Sequence, residues 1–376
     1  MKKGICSVAA CFDELEDPRV REATYPLLNI VTIAICAVVC GVDDFTGMED
    51  YGNRKKEWLS KFLDLSEGIP SHDTFNAVLG SLKPRQFEQC LLKWITSLHE
   101  ISDGELIAID GKTLRRSYDR ASSKSAIHMV SAWAAKNHIS LGQVCVDEKS
   151  NEITAIPKLL ELVEIHGAFV TIDAMGCQTA IAEKIVEEGG HYILAVKDNQ
   201  PKLSEAIRAH FEDHLSDDFA RIKASRHRTV AKKNNHGREE ERDYFVTPVP
   251  ADFPEAGRWK NLRALGIAIN NTVRNGKQST ETRYYILDKY IPAKRFGGFT
   301  RGHWSIENNL HWQLDVTFSE DASRIRKANG AENMSILRRT ALSMLKNEAS
   351  FKRGIKGKRV AAALDETYLE KVLFAQ

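Results

Sequence analysis

The chain has 376 residues and a formal net charge of +2; 43% of its residues are hydrophobic and 28% are charged. This composition is typical of a water-soluble globular protein, and the length is sufficient for two or three domains. The seven cysteines form no CxxC pair and show no regular spacing, which argues against a disulfide framework and a zinc site. We therefore expect buried free thiols and a cytoplasmic protein.

An apolar stretch at residues 27–42 could be mistaken for a membrane span. It is shorter than the ~20 residues that a bilayer crossing needs. It also contains Asn29 and Thr32, and two acids, Asp43 and Asp44, follow it directly. The stretch is therefore predicted to be a buried helix, and no membrane association is expected.

Residues 1–100 have apolar positions at helical spacing, which predicts an all-α domain. From residue 105 the pattern changes to the alternation that is typical of strands. The segment "ELIAID" predicts a first strand that ends at Asp110, with a sharp turn at the Asp-Gly pair. Two further strands, joined by a short polar turn, would complete an antiparallel meander.

A second group of elements follows the meander. The pattern predicts a helix, a fourth strand that ends at Asp173, another helix and a fifth strand that stops at Lys197. A β-rich insertion with a hairpin around "RNGK" comes next, and helical spacing then resumes. We therefore predict an α/β fold with a mixed five-stranded sheet and helices. Its domains are a helical domain (1–100), a core in two parts (101–200 and 298–348), the insertion (201–297) and a basic C-terminal tail (349–376).

Positive charge is concentrated near the end of the chain. From Lys289 onwards there are 16 Lys and Arg against 9 Asp and Glu, whereas the first hundred residues are slightly acidic. Such a segment is typical of a face that binds a polyanion, and a set of solvated helix faces explains it equally well. The stretch "FKRGIKGKR" at 351–359 is predicted to bind phosphate without regard to sequence.

Three acids occupy unusual places. Asp110 and Asp173 each end a core strand, and Glu307 lies in an aromatic, otherwise apolar helical segment. If the two strands are neighbours, both aspartates emerge at one edge of the sheet. Three converging carboxylates would repel one another by about 4 kcal/mol per pair at 4 Å and an effective dielectric of 20, a cost that cations remove. Oxygen ligands favour Mg²⁺ or Mn²⁺, and two such ions about 4 Å apart support phosphodiester chemistry.

Two of these acids also have a purely structural explanation. Asp110 fits an Asp-Gly turn, and Asp173 fits the N-cap of the helix after it. Glu307 is harder to explain in this way, because an acid between two tryptophans on an apolar face needs a partner or a metal.

Five ordered blocks of the sequence are similar to a known family. They contain "IAIDGKTLRRSYD", "KSNEITAIPKLLELV", "TIDAMGCQTAIAEKIVEEGG", "HGREEER" and "RGHWSIENNLHWQLDV". From about Phe12 to its end, the chain resembles the insertion-sequence transposases associated with the H-repeats of Rhs elements, a bacterial branch of the DDE transposases. The resemblance implies an RNase H-like catalytic core interrupted by a β-rich insertion. It also implies that Asp110, Asp173 and Glu307 are the catalytic, metal-binding acids.

The block around the last acid departs from the family pattern. Related DDE transposases with such an insertion often carry a Tyr, Arg, Glu, Lys signature there. In this chain His303 stands at the place of the Arg and Leu314 at that of the Lys. On a regular helix His303, Glu307 and His311 would share one face, so the histidines are predicted either to contact phosphate or to orient the carboxylate.

Further DNA contacts are predicted from basic and aromatic residues. Lys197 ends a strand next to that of Asp173, close enough to reach a DNA backbone. Trp259 lies between two cations in "GRWK" and is either a platform for an unstacked base or a core tryptophan. A solvated surface charge is the alternative for each basic residue. The full set of DNA-contact candidates is Lys112, Arg115, Arg116, Lys197, Arg238, Trp259, Arg301, His303 and His311.

The resemblance implies a DNA transposase that uses two Mg²⁺ or Mn²⁺ ions. It would hydrolyse phosphodiester bonds at the ends of its element and join the freed 3′-hydroxyl to target DNA. The helical domain at 1–100 would recognise the terminal inverted repeats, and the working form would be a homo-oligomer. Two alternatives remain open: a nuclease of the same fold that cuts without strand transfer, and a catalytically retired transposase that only binds DNA.

Overall fold

The structure is a computed structural model that describes residues 8–20, 23–98, 104–118, 125–146, 151–231, 238–274 and 276–374. The chain forms two compact units, and each of them combines segments that are distant in sequence. Unit 1 comprises Met1–Ser102, Gly111–Glu148 and Glu307–Gln376, and unit 2 comprises Asp103–Asp110 and Lys149–Ile306.

The first part of unit 1 consists of helices, as the spacing predicts. Ten of the 13 residues of α2 are buried, which confirms the prediction of a buried helix. Among the helices that the structure describes, none is long and apolar enough to cross a membrane. The helices are α1 (residues 8–12), α2 (Leu27–Val39), α3 (Phe45–Arg54), α4 (Lys56–Leu59), α5 (His72–Ser81) and α6 (Pro84–Leu98).

The remainder of unit 1 contains an antiparallel strand pair and the C-terminal helices. Fifteen of the 18 residues of α12 are buried, and this helix packs against α2, α6 and β3. It is therefore the central helix of the unit. The elements are β2 (His128–Ala134), β3 (Ile139–Cys145), a π-helix (Glu307–His311), α11 (Trp312–Val316), a 3₁₀ turn (Glu320–Ala322), α12 (Gly330–Asn347), α13 (Ile355–Leu364) and α14 (Glu366–Phe374).

The predicted basic tail folds into α13 and α14, and two of its charges point inward. The Lys358 ammonium donates to the backbone carbonyls of Leu345, at 2.9 Å, and Glu348. The Arg359 guanidinium lies 3.0 Å from an Asp43 carboxylate oxygen. Both cations are buried and serve packing inside unit 1.

Unit 2 is built on a mixed sheet whose described strands follow the order β1-β4-β5-β9-β8-β7-β6. The pairs β1/β4 and β4/β5 are parallel. The pairs β5/β9, β9/β8, β8/β7 and β7/β6 are antiparallel. The strands are β1 (Leu106–Thr113, which belongs to unit 2 as far as Asp110), β4 (Phe169–Ile172), β5 (His191–Val196), β6 (Ser225–Ala231), β7 (Arg238–Pro248), β8 (Ala264–Arg274) and β9 (Lys277–Leu287).

The helices of unit 2 are α7 (Glu152–Leu160), α8 (Thr179–Glu187), α9 (Pro201–Leu215) and α10 (Ala293–His303), with 3₁₀ turns at Ala174–Gly176 and Ala256–Arg258. Helix α10 approaches the sheet at Gly297, where a Cβ atom would lie only 2.7 Å from Cδ2 of Tyr244. This close contact fixes the helix that carries Arg301 and His303.

Two features of the sheet differ from the sequence prediction. Strand β9 pairs directly with β5, with Ile193 opposite Leu287, so the strands of the insertion continue the sheet and the predicted five strands are too few. Strand β1 also runs on through Gly111 to Thr113, so the predicted sharp turn at Asp-Gly is wrong. In unit 1 this extension is held beside β2, where Oγ1 of Thr113 lies 2.8 Å from Nδ1 of His128.

Candidate active site

The sheet of unit 2 brings two of the three predicted acids together. In the parallel register of β1 and β4, Ile109 is paired with Ile172, and the next residues are Asp110 and Asp173. Adjacent strands lie roughly 4.8 Å apart, so the two half-buried aspartates lie side by side at the carboxyl edge. The prediction that their strands are neighbours is confirmed.

Asp173 is also a helix cap. Its Oδ1 accepts a hydrogen bond from the backbone N–H of Gly176 at 3.2 Å and so begins the 3₁₀ turn. A Cβ atom at Gly176 would collide with Cγ2 of Ile172, so this tight turn requires glycine. The cap orients the carboxylate, and it is compatible with a ligand role because a carboxylate has two oxygens and several lone-pair directions.

His303 lies next to the strand that carries Asp173. Its Nδ1 is 3.1 Å from Oγ1 of Thr171, a buried residue two positions before Asp173. Burial lowers the pKa of His303 to about 4, against the opposing effect of the Asp173 carboxylate. The imidazole is therefore neutral at pH 7 and offers a hydrogen bond, not a positive charge.

Two of the predicted DNA contacts in unit 2, Lys197 and Arg301, have exposed side chains. Lys197 directly follows β5, whose Leu194 pairs with Ile172 of β4, so Lys197 lies at the same sheet edge as Asp173. Arg301 is exposed on α10. Both positions leave the charged group accessible to a phosphate.

Glu307 is exposed and is the first residue of the π-helix in unit 1. The π-helix continues into α11, so residues 307–316 are helical without a break. Leu310 and Leu314 anchor this segment because both are fully buried. Leu314, which stands at the place of the family's Lys, is thus a core residue.

The predicted helical segment around Glu307 is present, but part of it is a π-helix and not an α-helix. Helix α10 ends at His303, and the wider π-turn changes the residue spacing, so His303, Glu307 and His311 do not share a continuous α-helical face. The expected apolar face is also wrong, because the side chains of Trp304 and Trp312 are 39% and 53% exposed.

Lys112 occupies a buried ion cluster in unit 1. Its Nζ lies 2.7 Å from an oxygen of Asp315, 3.0 Å from one of Glu320 and 3.3 Å from one of Asp321. Burial lowers the pKa of Lys112, but the Glu320 and Asp315 carboxylates outweigh this effect and raise it. The ammonium group is thus paired inside the unit and does not face solvent as a DNA contact would.

Glu320 connects this cluster to the central helix. One carboxylate oxygen lies 3.3 Å from Nη1 of Arg339 and accepts a hydrogen bond from Ser335 at 3.0 Å. Burial raises the pKa of Glu320, but the charges of Arg339 and Lys112 hold it at about 2. Sequence reasoning missed this cluster, because its members are far apart in the chain and charged residues are usually exposed.

The other predicted DNA contacts have varied surroundings. Arg115 is exposed and pairs with Asp321 at 3.2 Å, and Arg116 is exposed. Trp259 is only 3% exposed, which fits the alternative of a core tryptophan. His311 is half-buried, and burial, aided by the charge of Arg339, lowers its pKa to about 3. Arg238 opens β7, and its side chain lies outside the described residues.

The oxygen atoms of Asp110 and Asp173 are the donors that a metal ion would find at this edge. Hard carboxylate oxygens fit Mg²⁺ or Mn²⁺ better than zinc. Within the described ranges, no group of three or more His, Cys, Asp or Glu side chains is arranged to hold a metal ion. What unit 2 offers is two aspartates that follow paired residues of β1 and β4.

Comparison with known proteins identifies the family. A family described as "Transposase DDE domain" matches residues 101–344, and one described as "DDE_Tnp_1-associated" matches residues 9–95. The chain is 42% identical over 353 residues to "Putative transposase YncI" of Escherichia coli O157:H7, which covers 93% of this chain and 89% of that protein.

A second relative has a name that agrees with the resemblance seen in the sequence. It is "H repeat-associated putative transposase YhhI" of Escherichia coli K12, 39% identical over 355 residues, 93% of this chain and 92% of that protein. These matches span most of the chain and both of its family regions. The chain therefore belongs to the DDE transposase family, together with the H repeat-associated transposases.

Proposed function

We propose that the protein is a metal-dependent DNA transposase of an insertion sequence with an RNase H-like core, in which Asp110, Asp173 and Glu307 bind the metal. The observation that carries this proposal is the register of β1 and β4, which sets Asp110 beside Asp173. The exposed position of Glu307 on a π-helix supports it, because π-turns are frequent at functional sites.

The residues of the chain have the task of holding donor oxygens in place. Strand β1 carries Asp110, and the cap to Gly176 orients Asp173. Two Mg²⁺ or Mn²⁺ ions would supply activation of the attacking hydroxyl and stabilisation of the leaving oxygen. His303, which is neutral and close to β4, would orient the site by hydrogen bonding.

The reaction has two chemically similar steps. In the first, water attacks a phosphodiester at the end of the element, the P–O3′ bond breaks and the 3′-hydroxyl is released. In the second, this hydroxyl attacks a phosphodiester of the target, a new P–O bond forms and the target's own 3′-oxygen leaves. Both steps are displacements at phosphorus, so a single set of acids is sufficient for them.

DNA would be held mainly by sequence-independent phosphate contacts. The exposed Lys197, Arg301 and Arg116 are the cations that we assign to this role. The helices within residues 1–100 would recognise the terminal inverted repeats, and a homo-oligomer would bring two ends together. The β-rich strands would widen the surface on which DNA lies.

The test is cleavage and joining of duplex DNA taken from the regions that flank the gene, with Mg²⁺ or Mn²⁺. Wild type should cut and join, and Asp173→Asn should do neither. Asp44→Asn is the matched control, because Asp44 also accepts a hydrogen bond from the backbone N–H of a glycine three residues on, at 2.7 Å, and asparagine preserves a cap. It should remain active.

The same assay separates the alternatives. Cutting without joining would support a nuclease of the same fold. Absence of cleavage with either metal, together with DNA binding that is indifferent to Asp173→Asn, would support a DNA-binding protein that has lost its activity.

A further inference from the structure

We infer that Lys112 is a positioning residue that holds the helical segment of Glu307 against the end of strand β1. This inference rests on the proposed function, because it assumes that Glu307 is a metal ligand. Lys112 itself would touch neither the metal nor the DNA. It would act through Asp315.

Asp315 lies on the same helical segment as Glu307. It lies in α11, which continues the π-helix that Glu307 begins, so Glu307 and Asp315 belong to one unbroken helical segment. A helical segment of this length moves as a whole, since its backbone is internally hydrogen-bonded. An ion pair at Asp315 therefore restrains Glu307 as well.

The contact that restrains this segment is the ion pair between Lys112 and Asp315. The Lys112 ammonium lies 2.7 Å from Oδ1 of Asp315, and the side chains are 7% and 33% exposed. Lys112 is on the extension of β1, two residues after Asp110. The ion pair therefore joins the extension of β1 to the helical segment of Glu307, and both partners lie inside unit 1.

Other contacts also support the helical segment that Glu307 begins. The Lys346 ammonium of α12 donates to Oδ1 of Asn309 at 2.9 Å, and Asn309 is two residues after Glu307. Leu310 and Leu314 are fully buried. The segment is thus held by the burial of these two leucines and by a hydrogen bond to α12, and Lys112 would fix its position relative to the extension of β1.

Lys112 has two further carboxylate partners, Glu320 and Asp321. Glu320 binds Arg339 as well, and Asp321 also pairs with the exposed Arg115. These two acids lie in the 3₁₀ turn after α11, outside the helical segment that Glu307 begins. Asp315 is the partner that belongs to the Glu307 segment, so the positioning effect should depend on it.

The experiment measures Mn²⁺ binding to full-length protein with duplex DNA from the flanking regions, by calorimetry, alongside the rate of cleavage. Lys112→Met and Asp315→Asn should each weaken Mn²⁺ binding about tenfold, the usual size for a lost support behind a metal ligand. Cleavage should fall at limiting Mn²⁺ and recover in part at high Mn²⁺. DNA affinity should not change.

Two controls separate positioning from general damage. Asp321→Asn removes a carboxylate from the same lysine, 3.3 Å away, and Asp321 lies outside the helical segment of residues 307–316. Lys358→Met removes another buried lysine of unit 1, which binds the carbonyl of Leu345. Both variants should keep Mn²⁺ binding within about twofold of wild type at temperatures well below their melting points.

Each outcome either supports or contradicts the positioning role of Lys112. If Lys112→Met does not fold, Asp315→Asn carries the test alone. Wild-type Mn²⁺ binding by folded Asp315→Asn, or an equal loss in Asp321→Asn, would overturn the positioning role. Asp110→Asn separates failure of the proposed function from failure of the inference about Lys112. If Asp110→Asn also keeps metal binding and cleavage, the proposed function fails. If Asp110→Asn loses both while Asp315→Asn loses neither, only the inference about Lys112 fails.

Discussion

Asp110 and Asp173 directly follow Ile109 and Ile172, two residues that are paired in the parallel register of β1 and β4. Because the strands run in the same direction, both aspartates lie at the point where the pairing of β1 with β4 ends. Two negative charges on neighbouring strands repel each other, and a divalent cation between them would remove that repulsion. This juxtaposition is the structural basis of the metal-binding proposal.

The first prediction concerns Asp110. Asp110→Asn should abolish cleavage, because an amide is a poor ligand for Mg²⁺, while DNA binding should stay equal or become slightly tighter, since a negative charge near the phosphates is lost. Cleavage and electrophoretic mobility assays on the same protein preparation would check this. A variant that still cuts at the wild-type rate would remove Asp110 from the catalytic set.

The second prediction concerns two half-buried histidines of unit 2. His303 and His210 each have a pKa near 4 in the folded protein, because burial disfavours the charged form. Unfolded chains protonate at about 6.5, so the free energy of unfolding should fall between about pH 6.5 and pH 4. The size is on the order of 3 kcal/mol for each histidine. Urea denaturation at several pH values would measure it.

Glutamine at the two histidine positions makes a matched pair. His303→Gln and His210→Gln should both flatten the fall in stability with acid. His210 lies on α9 and contacts Thr247, so its replacement should leave cleavage unchanged. His303→Gln should slow cleavage at pH 7, and equal cleavage by the two variants would contradict a role for His303 near Asp173.

The third prediction concerns the buried carboxylate of Glu320. Glu320→Gln should lower the free energy of unfolding by about 3 kcal/mol, because it leaves Arg339 and Lys112 with too few counter-charges. The folded pKa is about 2 and lies below the ordinary value of 4.5, so this stabilisation is complete above pH 4.5. It should be lost as the pH falls through about 2.

Thermal unfolding followed by circular dichroism would check the Glu320 prediction. Glu16→Gln is the control, because Glu16 is exposed and its ion pair with Lys83 lies at the surface. Its midpoint should match wild type. A midpoint for Glu320→Gln equal to that of Glu16→Gln would contradict the view that the cluster stabilises unit 1.

The fourth prediction separates core residues from DNA contacts. Trp259→Ala should lower the free energy of unfolding by roughly 3–5 kcal/mol, because a buried ring is lost. Lys197→Ala and Arg301→Ala should leave stability unchanged and weaken DNA binding. Each should also reduce the slope of log affinity against log salt by about 1. A Trp259→Ala protein with wild-type stability and lost single-strand binding would instead support a base-stacking platform.

Local sequence patterns predicted the strands of the core well. Phe169–Ile172 and His191–Val196 are short apolar runs, and the acid and base after them mark their ends. Strand β6 was missed, because "SRHRTVA" has only one large apolar residue among charged ones. The Asp-Gly turn was predicted from local propensity, which pairing beside β2 overrides in the structure.

The chemistry of individual side chains was harder to predict than the strands. A lysine two residues after an acid suggests a surface charge, and no local signal shows that Lys112 meets carboxylates about 200 residues further along the chain. The π-turn at Glu307 is likewise invisible to a helical period, because it differs from an α-helix by one residue in one turn. Tertiary packing decided both.

The most direct test of the account is Mn²⁺ binding to wild type and to Asp173→Ala, by calorimetry, with and without DNA. Wild type should take up metal, and the variant should lose this uptake while it remains folded and still binds DNA. Equal uptake by both proteins, or no uptake by either even with DNA present, would contradict the account. Asp173 would then be a helix cap, and DNA binding without cleavage would become the better description.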